Sequence, residues 1–239
     1  MNTRLIRKLE NFDRLSDEEK QFLEGAVVRA RVVSKGEDII REGDRPTEST
    51  VLLEGFAARY SLLRNGKRQI TGLHVPGDFV DLHSFLVKKM DHAVLAITPC
   101  SVGFVPHETL REISENHPHL TRLLGVNIAV DAAIHRQWIV AMGRRSALEH
   151  AAHLLCEMFL RLRAVGLTED DSFKLPLTQA ELGDALGLST VHVNRVVQDL
   201  RKERLITWRG ETLVIDDWER LQELAEFDPT FLSFEVEPR

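Results

Sequence analysis

Cysteine, tyrosine and long apolar runs are scarce in this chain of 239 residues. Its two cysteines, Cys100 and Cys156, are widely separated and have no metal-ligand spacing, which excludes a disulfide framework and a cysteine-rich metal cluster. No apolar run approaches the roughly 20 residues of a membrane span, and the charged, amphipathic start MNTRLIRKLENF does not have the form of a signal peptide. These absences predict a soluble, cytoplasmic protein with no membrane partner.

An excess of positive charge is also lacking. The net charge is -6 at pH 7, which argues against a protein that coats nucleic acid by bulk electrostatics. Any DNA binding must therefore come from a local basic face. Such a face lies between residues 195 and 209, where Arg195, Arg201, Lys202, Arg204 and Arg209 stand against Asp199 and Glu203. Taken alone, this run would be read as a solvated helix surface.

Catalytic patterns are missing as well. No Ser-His-Asp arrangement, carboxylate pair or phosphate-binding loop stands out in the sequence, and we therefore expect no enzyme activity.

Two short helices joined by a sharp turn are predicted over residues 178–200, TQAELGDALGLSTVHVNRVVQDL. Thr178 and Glu181 form a T-x-x-E capping box, which satisfies the unpaired N–H groups at a helix start. Gly183 lets the second helix cross closely, and Gly187 supplies the left-handed residue that ends the first helix. The alternative is any small helical hairpin with a glycine turn. The capping box, both glycines and the apolar positions agree on a helix-turn-helix.

The second helix of this unit is the candidate DNA reader. It starts at Ser189 or Thr190, and Val193, Val196 and Val197 pack it onto the domain. The predicted DNA-binding residues lie at the start of the first helix and on the flanks and outer face of the second: Gln179, Ser189, Thr190, Val191, His192, Asn194, Arg195 and Gln198.

The N-terminal half has the pattern of a small β domain. Glycines and prolines punctuate short runs between residues 29 and 105: RARVV, DII, STVLLEGFAARYSLL, RQITGLHV, DFVDL, AVLAIT and SVGFV. Asn65-Gly66 between two of them is a strong hairpin signal. About seven or eight antiparallel strands predict a jelly-roll-like barrel or sandwich. Short helices are predicted on either side of it, at residues 2–11, 16–24 and 107–115.

A long helix is predicted from Pro118 to about Met142. Residues recur along it at four-then-three spacing, the pattern of a heptad seam: Leu120, Leu124, Asn127, Asp131, Ile134, Trp138 and Ala141. A parallel seam through Leu123, Val130 and Gln137 fits nearly as well. Roughly 25 helical residues span about 37 Å, more than a small barrel needs for cover. We therefore expect part of the helix to contact a second copy, with a dimer interface at Leu120, Leu124, Asn127, Ile134 and Trp138. The alternative is a helix packed only on its own barrel.

The rest of the chain completes a predicted DNA-binding unit. Gly143-Arg144-Arg145 is predicted to end the long helix, followed by a helix at 146–165, an acidic loop at 168–172 and a strand at 173–177. The segment LITWRGETLVI then predicts a β-hairpin with Gly210 in its turn, which makes the unit a winged helix. A last acidic helix is predicted at 216–226. The predicted domains are 1–117, 118–142 and 143–227, followed by a tail at 228–239.

The order of β-roll, long helix and winged helix resembles that of the Crp/Fnr family of bacterial transcription regulators, from about Phe12 to Phe227. The resemblance is carried by the segment LGLSTVHVNRVVQDLRKERLI and by Gly43 in REGD, Gly55 in LLEGF and Gly77 in VPGDF. It implies an α+β protein with a jelly-roll domain like that of cyclic-nucleotide-binding proteins, a long dimerisation helix and a winged helix-turn-helix. It also implies a homodimer on a palindromic double-stranded DNA operator, contact with RNA polymerase and an unknown small-molecule effector in the β-roll.

The effector pocket departs from the family pattern. Cyclic-nucleotide-binding members carry a Gly-Glu pair just after the GDF turn and an Arg-Ser/Thr-Ala run after the next strand. This chain has Asp81 and Leu82 at the first place, and Asp91, His92 and Ala93 at the second. An aspartate repels a phosphate where an arginine would form a charge-assisted pair. We therefore predict no response to cyclic AMP.

The sequence also gives little support for the other sensor types known in the family. Its iron–sulfur members use an N-terminal cysteine cluster, and no cysteine precedes Cys100. His74, His83 and His92 are predicted on different strands with no ligand spacing, so no metal or haem cofactor is predicted. Three alternatives stay open: a haem- or other ligand-dependent sensor with this fold, a cyclic-nucleotide-responsive regulator with an atypical pocket, and a ligand-sensing module whose helix-turn-helix contacts protein.

The resemblance also bears on base readout. Arg195 matches the arginine that family members direct at a guanine, which an arginine can bind through two hydrogen bonds. Val191 stands where relatives place a glutamate that reads cytosine, and Asn194 is able to read adenine. The operator is therefore expected to keep a guanine and to differ at the neighbouring base pair.

Overall fold

In the computed structural model, which describes residues 3–238, two short helices precede the β domain. They are α1 (Thr3–Glu10) and α2 (Asp17–Ala26). The capping box predicted at the start of α2 is present, because the Ser16 hydroxyl accepts from the Glu19 N–H and the Glu19 carboxylate accepts from the Ser16 N–H.

Two antiparallel sheets form the β-roll. The first has the order β1-β7-β3, with β1 at Arg29–Val33, β7 at Cys100–Pro106 and β3 at Glu48–Glu54. The second has the order β2-β6-β4-β5, with β2 at Asp38–Ile40, β6 at Ala93–Ala96, β4 at Ala57–Leu62 and β5 at Arg68–His74. The predicted Asn65-Gly66 turn joins β4 to β5, and Gly66 has a φ of 79°. The jelly-roll prediction is therefore confirmed.

The segment DFVDL does not form the predicted strand. It runs beside β3 and makes one isolated bridge, Val51 to Phe79, before a 3-10 helix at Leu82–Phe85. The physical reason is that its aspartates take up backbone donors. The Asp78 carboxylate accepts from the Val75 N–H at 2.9 Å, and the Asp81 carboxylate accepts from the Thr50 N–H at 2.5 Å. The chain therefore folds into a turn.

A helix α3 (His107–Asn116) leads into the long helix α4 (Pro118–Arg144), which has 27 residues. The predicted break at Gly143 is not there. The helical hydrogen bonds continue through that glycine, and the Arg145 N–H still donates to the Ala141 carbonyl at 3.2 Å. The helix therefore ends at Arg144, two residues or about half a turn later than predicted.

The predicted dimer seam on α4 lies inside the single chain. The exposed fractions are 0% for Leu120, 8% for Leu124, 6% for Asn127, 6% for Ile134 and 3% for Trp138. Trp138 donates its Nε1–H to Glu157 Oε2 on the next helix at 2.8 Å. Side chains enclosed by their own chain cannot provide the contacts to a second copy, so the choice of these five residues is corrected. Their heptad spacing reflects packing within the subunit.

The DNA-binding unit begins with helix α5 (Ala147–Ala164), which has the capping-box start at Ser146. The remaining elements are β8 (Thr168–Glu169), β9 (Ser172–Lys174), α6 (Gln179–Leu186), α7 (Thr190–Lys202), β10 (Ile206–Arg209), β11 (Thr212–Ile215) and α8 (Trp218–Leu224). The strands form one sheet in the order β10-β11-β9-β8, which confirms the wing.

Three boundaries in this unit differ from the prediction. The acidic loop at 168–172 is a tight hairpin between β8 and β9, with Asp170 at its turn in the left-handed region (φ 48°). The following strand is shorter than predicted and ends at Lys174. The last helix starts only at Trp218, because Asp217 caps it by accepting from the Arg220 N–H at 3.0 Å.

The tail after residue 227, for which the sequence predicted no structure, packs back onto the N-terminal half. A 3-10 helix at Pro229–Leu232 buries Leu232 completely. Phe234 stacks on Phe12 with ring centroids 6.4 Å apart, and the Glu237 N–H donates to the Phe12 carbonyl at 3.1 Å. The tail therefore ties the DNA-binding unit to the start of the chain.

A buried ion network joins the β-roll to α5. Arg161 contacts Asp78 and Glu157, each at 2.7 Å, and Lys8 contacts the other Asp78 oxygen at 2.6 Å. Burial alone would raise the pKa of Asp78, yet the charges of Lys8 and Arg161 hold it well below its usual range.

None of the helices described between residues 3 and 238 has the length and apolar character of a membrane span.

Candidate nucleic-acid interface and β-roll cavity

The helix-turn-helix has the local geometry that its sequence predicts. Thr178 and Glu181 form the reciprocal capping box, with 3.2 Å from the Glu181 nitrogen to Thr178 Oγ1. Gly187 ends α6 in the left-handed conformation at a φ of 68°. Gly183 is needed for a different reason than predicted. A Cβ there would lie 2.6 Å from the Leu188 carbonyl oxygen of the turn, whereas Val193 of the second helix is farther away.

All eight predicted DNA-binding residues are exposed on this unit. Val193 and Val196 are buried and fix the inner face of α7, so its other positions project from the domain. The two helices are linked across this surface because the Asn194 side-chain amide donates to Gln179 Oε1 at 3.1 Å. Ser189 caps α7 by accepting from the His192 N–H. We call this surface the α7 face; its members are Gln179, Ser189, Thr190, Val191, His192, Asn194, Arg195 and Gln198.

The other basic residues lie at the end of α7 and in the segment that follows it. Arg201, in the last turn of α7, donates to the Trp208 carbonyl and so braces the wing. Together with Arg204 and Arg209 it lines a surface depression between the end of α7 and the wing. Arg195 is the one cation in the body of α7, and its side chain is exposed. Positive charge therefore lies on the exposed helix, at Arg195, and at the depression beside the wing.

A second candidate site is a cavity of about 380 Å³ between the β-roll and α4. We call it the β-roll cavity; its lining residues include Arg59, Thr71, Leu82, His83, Asp91, His92, Asn127, Ile128, Asp131, Ala132 and His135. Of the five predicted pocket residues, the structure brings Leu82, Asp91 and His92 to this cavity. Asp81 is fully buried against β3, and Ala93 is buried in β6.

Arg59 is the functional candidate that sequence reasoning missed. It comes from β4, is 8% exposed, and reaches α4, where it contacts Asp131 at 3.0 Å and His135 Nε2 at 2.7 Å. The sequence did hold a signal for Arg59, which is a charged residue within an otherwise largely apolar strand. A charge at such a position is rarely buried without a partner. Arg59 therefore connects the wall of the cavity to the long helix.

The structure also brings together histidines that the sequence placed apart. His83 lies in the 3-10 helix and His92 just before β6, and their ring centroids are 5.1 Å apart. Asp91 Oδ1 lies 2.7 Å from His92 Nδ1. Burial, followed by the charge of Arg59, lowers the pKa of His92 to about 4, and burial likewise lowers the pKa of His83. His74 is separate from this group and lies 3.8 Å from Asp78.

Comparison with known proteins adds to this geometry. A family model described as a cyclic nucleotide-binding domain matches residues 30–117, and one described as a Crp-like helix-turn-helix domain matches residues 149–224. The transcriptional activator protein anr of Pseudomonas aeruginosa is 30% identical over 211 residues, covering 88% of this chain and 86% of that protein. This chain belongs to the Crp/Fnr family of transcription regulators.

Further relatives agree with that assignment. The transcriptional activator FnrL of Cereibacter sphaeroides is 31% identical over 204 residues, covering 83% of this chain and 81% of that protein. The structure of FixK2 from Bradyrhizobium japonicum has a TM-score of 0.74 at 26% identity, covering 82% of this chain and 96% of that one. The α7 face is therefore part of a DNA-binding regulator of Crp/Fnr type. Its relatives are transcription regulators, a class that is generally not enzymatic.

Proposed function

We propose that this Crp/Fnr regulator acts in the cytoplasm as a homodimer that reads a palindromic operator through α7, with its DNA affinity set by a small molecule in the β-roll cavity. The observation that carries the proposal is the α7 face, where eight side chains, seven of them polar or charged, are exposed beside a basic wing. A helix of this kind enters the major groove, and the wing lies along the phosphate backbone.

Charge supports a local contact. The whole chain has a net charge of -6, so binding depends on Arg195 and on the cations beside the wing rather than on a general electrostatic field. Phosphate contacts fix the position of the helix, and base contacts supply the sequence preference.

The dimer is proposed to form through the exposed side of α4. Apolar or small residues recur there at heptad spacing, at Gly125, Ile128, Ala132, Ile139 and Met142, and we call them the α4 stripe. Ile139 is 65% exposed, Met142 47% and Ile128 37%. Apolar side chains so exposed along one line of a helix are typical of a surface that a partner covers. A twofold pair would present two α7 helices to two half-sites.

The β-roll cavity lies behind the same helix. Ile128 and Ala132 belong to the α4 stripe and also line the cavity. A bound effector would therefore touch the helix that pairs the subunits. A shift of Arg59 caused by the effector would be passed to Asp131 and His135 on that helix. Contact with RNA polymerase is part of the proposal through the family, whose relatives include proteins named as transcriptional activators.

Selection of DNA from fragmented genomic DNA tests the proposed function. The full-length protein should enrich a twofold-symmetric motif, and its affinity should fall steeply as salt rises. A variant carrying Arg195→Ala and Gln198→Ala should lose the enrichment, while Arg111→Ala on α3 should retain it. Enrichment of an asymmetric motif would contradict the dimeric reading. No enrichment, either by the protein alone or with a metabolite extract added, would favour a helix-turn-helix that contacts protein.

A further inference from the structure

Three side chains outside the α7 face have the composition of a metal site. His83, Asp91 and His92 each offer one ligand atom, and these atoms all lie within 4.8 Å of one another. Ligands at bond lengths of about 2.0 to 2.2 Å from one ion lie roughly 3 to 4 Å apart. The three side chains therefore need only a small contraction around an ion. Asp91 has the freedom to supply it, because its side chain is 86% exposed.

Each of the two imidazole rings has one nitrogen without a hydrogen-bond partner among the described residues. His83 Nε2 and His92 Nε2 are buried and accept or donate no hydrogen bond within residues 3–238. His92 is the more enclosed of the two, with 8% of its surface exposed. A buried polar atom without a partner costs free energy, and such atoms in a native fold call for an explanation. Coordination to an ion in the cavity would satisfy both nitrogens at once.

The carboxylate beside His92 favours the same arrangement. Asp91 Oδ1 contacts His92 Nδ1 at 2.7 Å, which fixes the ring so that a proton on Nδ1 leaves the Nε2 lone pair free. Metal-binding histidines commonly have such a carboxylate or carbonyl partner on the second nitrogen. One carboxylate cannot hold Nδ1 and also reach an ion on Nε2 of the same ring, so Asp91 becomes the third ligand by swinging its exposed side chain from Nδ1 towards the ion.

The charge balance of the cavity permits a cation. Arg59 lines the same cavity and would repel a metal ion if its charge were uncompensated. Asp131 lies 3.0 Å from its guanidinium and neutralises it. Asp91 then supplies the negative charge next to the two imidazoles. His135, which contacts Arg59, is the remaining titratable group on the α4 side of the cavity.

We propose that His83, Asp91 and His92 bind a divalent first-row transition-metal ion at the edge of the β-roll cavity. Two imidazoles and one carboxylate suit zinc, iron, cobalt or nickel, whereas magnesium and calcium take mainly oxygen ligands. The inference rests on the proposed role of the cavity as the effector site, which it makes more specific. The remaining coordination positions face the cavity and are open to water or to a small ligand.

Direct metal binding tests the proposal. The full-length protein, freed of any polyhistidine tag and of chelator, is titrated with Co²⁺ and with Zn²⁺. We expect one ion per chain and a visible Co²⁺ absorption band. His83→Gln and His92→Gln should each weaken binding by about tenfold or more, and Asp91→Asn should also weaken it. The control His117→Gln, at the start of α4, should bind as the wild type does. Circular dichroism of each variant without metal checks that it is folded.

Several results would overturn the metal site. One is wild-type affinity in a folded His83→Gln or His92→Gln variant, and another is no binding of either ion to the wild type. A Soret band that appears after expression with haem and disappears in these variants would assign the histidines to haem instead. DNA enrichment, measured in parallel, separates this proposal from the proposed function. A wild type that enriches DNA but binds neither ion overturns only the metal site, whereas a wild type that binds the ions but enriches no DNA overturns only the DNA-binding proposal.

Discussion

Arg68 of the β-roll forms an ion pair with Asp184 of the helix-turn-helix, with 2.7 Å between Arg68 Nη2 and Asp184 Oδ2. Beside it, the Gln69 side-chain amide donates to the Asp184 carbonyl at 2.7 Å. The β4–β5 hairpin is therefore docked on α6, the helix that supports the α7 face. The position of the DNA-binding unit depends on the β-roll through this contact as well as through α4 and the tail.

Removing the ion pair should loosen α6 without unfolding the protein. Both partners are about 28% to 29% exposed, and pairs of this kind contribute about 0.2 to 1 kcal/mol. For Arg68→Ala we expect faster amide hydrogen exchange in residues 179–186 and an almost unchanged unfolding midpoint. Lys67→Ala on the same hairpin is the control and should leave the exchange unchanged. Equal exchange in Arg68→Ala and wild type would show that the contact does not hold the helix.

The two sides of α4 should respond differently to a charge. Ile139→Asp changes the exposed α4 stripe, and we expect folded monomers in light scattering. Trp138→Asp places a charge in the core and removes the hydrogen bond to Glu157, so we expect a loss of folded protein. A folded Ile139→Asp dimer would place the subunit interface elsewhere.

Buried histidines should make the protein less stable in mild acid. His153 packs against Phe227 and Phe231, with ring centroids 5.0 and 5.8 Å away. Burial, followed by the charges of Arg145 and His150, lowers its pKa to about 3. The unfolded chain takes up a proton near a pKa of about 6.5 and the folded chain does not. Stability therefore falls as the pH drops from about 6.5 towards about 3.

The measurement is the urea midpoint at several pH values across this window. The midpoint should fall with pH in the wild type and fall less steeply in His153→Phe, which keeps the aromatic packing and removes the titrating group. His150, whose pKa burial lowers to about 4, contributes in the same direction. Parallel curves for the wild type and His153→Phe would show that His153 is not a source of the acid sensitivity.

Cyclic AMP and cyclic GMP should bind no better than about millimolar. The arginine that faces the β-roll cavity, Arg59, is already paired with Asp131 and His135, and Asp91 stands where a phosphate arginine would be needed. Calorimetry checks this directly. A micromolar isotherm would mean that the nucleotide displaces α4 from Arg59.

The sequence predicted local structure best where short-range chemistry decides it. The capping box at Thr178, the left-handed Gly187 and the Asn65-Gly66 hairpin all depend on neighbouring residues, and each is present. Which face of α4 is exposed could not be predicted from the sequence, because heptad spacing indicates that a stripe is covered and not by what. The stripe through Trp138 is covered by the chain's own elements, which include α3, α5 and the 3-10 helix of the tail.

Contacts between residues far apart in the sequence could not be predicted either. His83 and His92 have no ligand spacing along the sequence, and they meet only because the loop after the 3-10 helix returns to β6. Arg59 and α4 are likewise far apart in sequence. For the tail, apolar residues such as Leu232 gave no repeating pattern, although their burial fixes its position.

The readout that we propose for the α7 face is specific. Arg195 is exposed, and the family resemblance implies that it binds a guanine, where two hydrogen bonds would be worth about 1 to 3 kcal/mol of discrimination. Val191 offers no acceptor to cytosine, and Asn194 is engaged with Gln179 in the structure. The preferred half-site should keep the guanine and differ from familiar operators at the neighbouring base pair.

Operator selection with the wild type and with Arg195→Ala tests the central claim most directly. Randomised duplexes are bound at fixed salt, recovered and sequenced for both proteins. We predict that the variant loses its preference at one position in each half-site and keeps the rest of the motif. An unchanged motif bound with uniformly lower affinity would contradict the account, because Arg195 would then contact only phosphate.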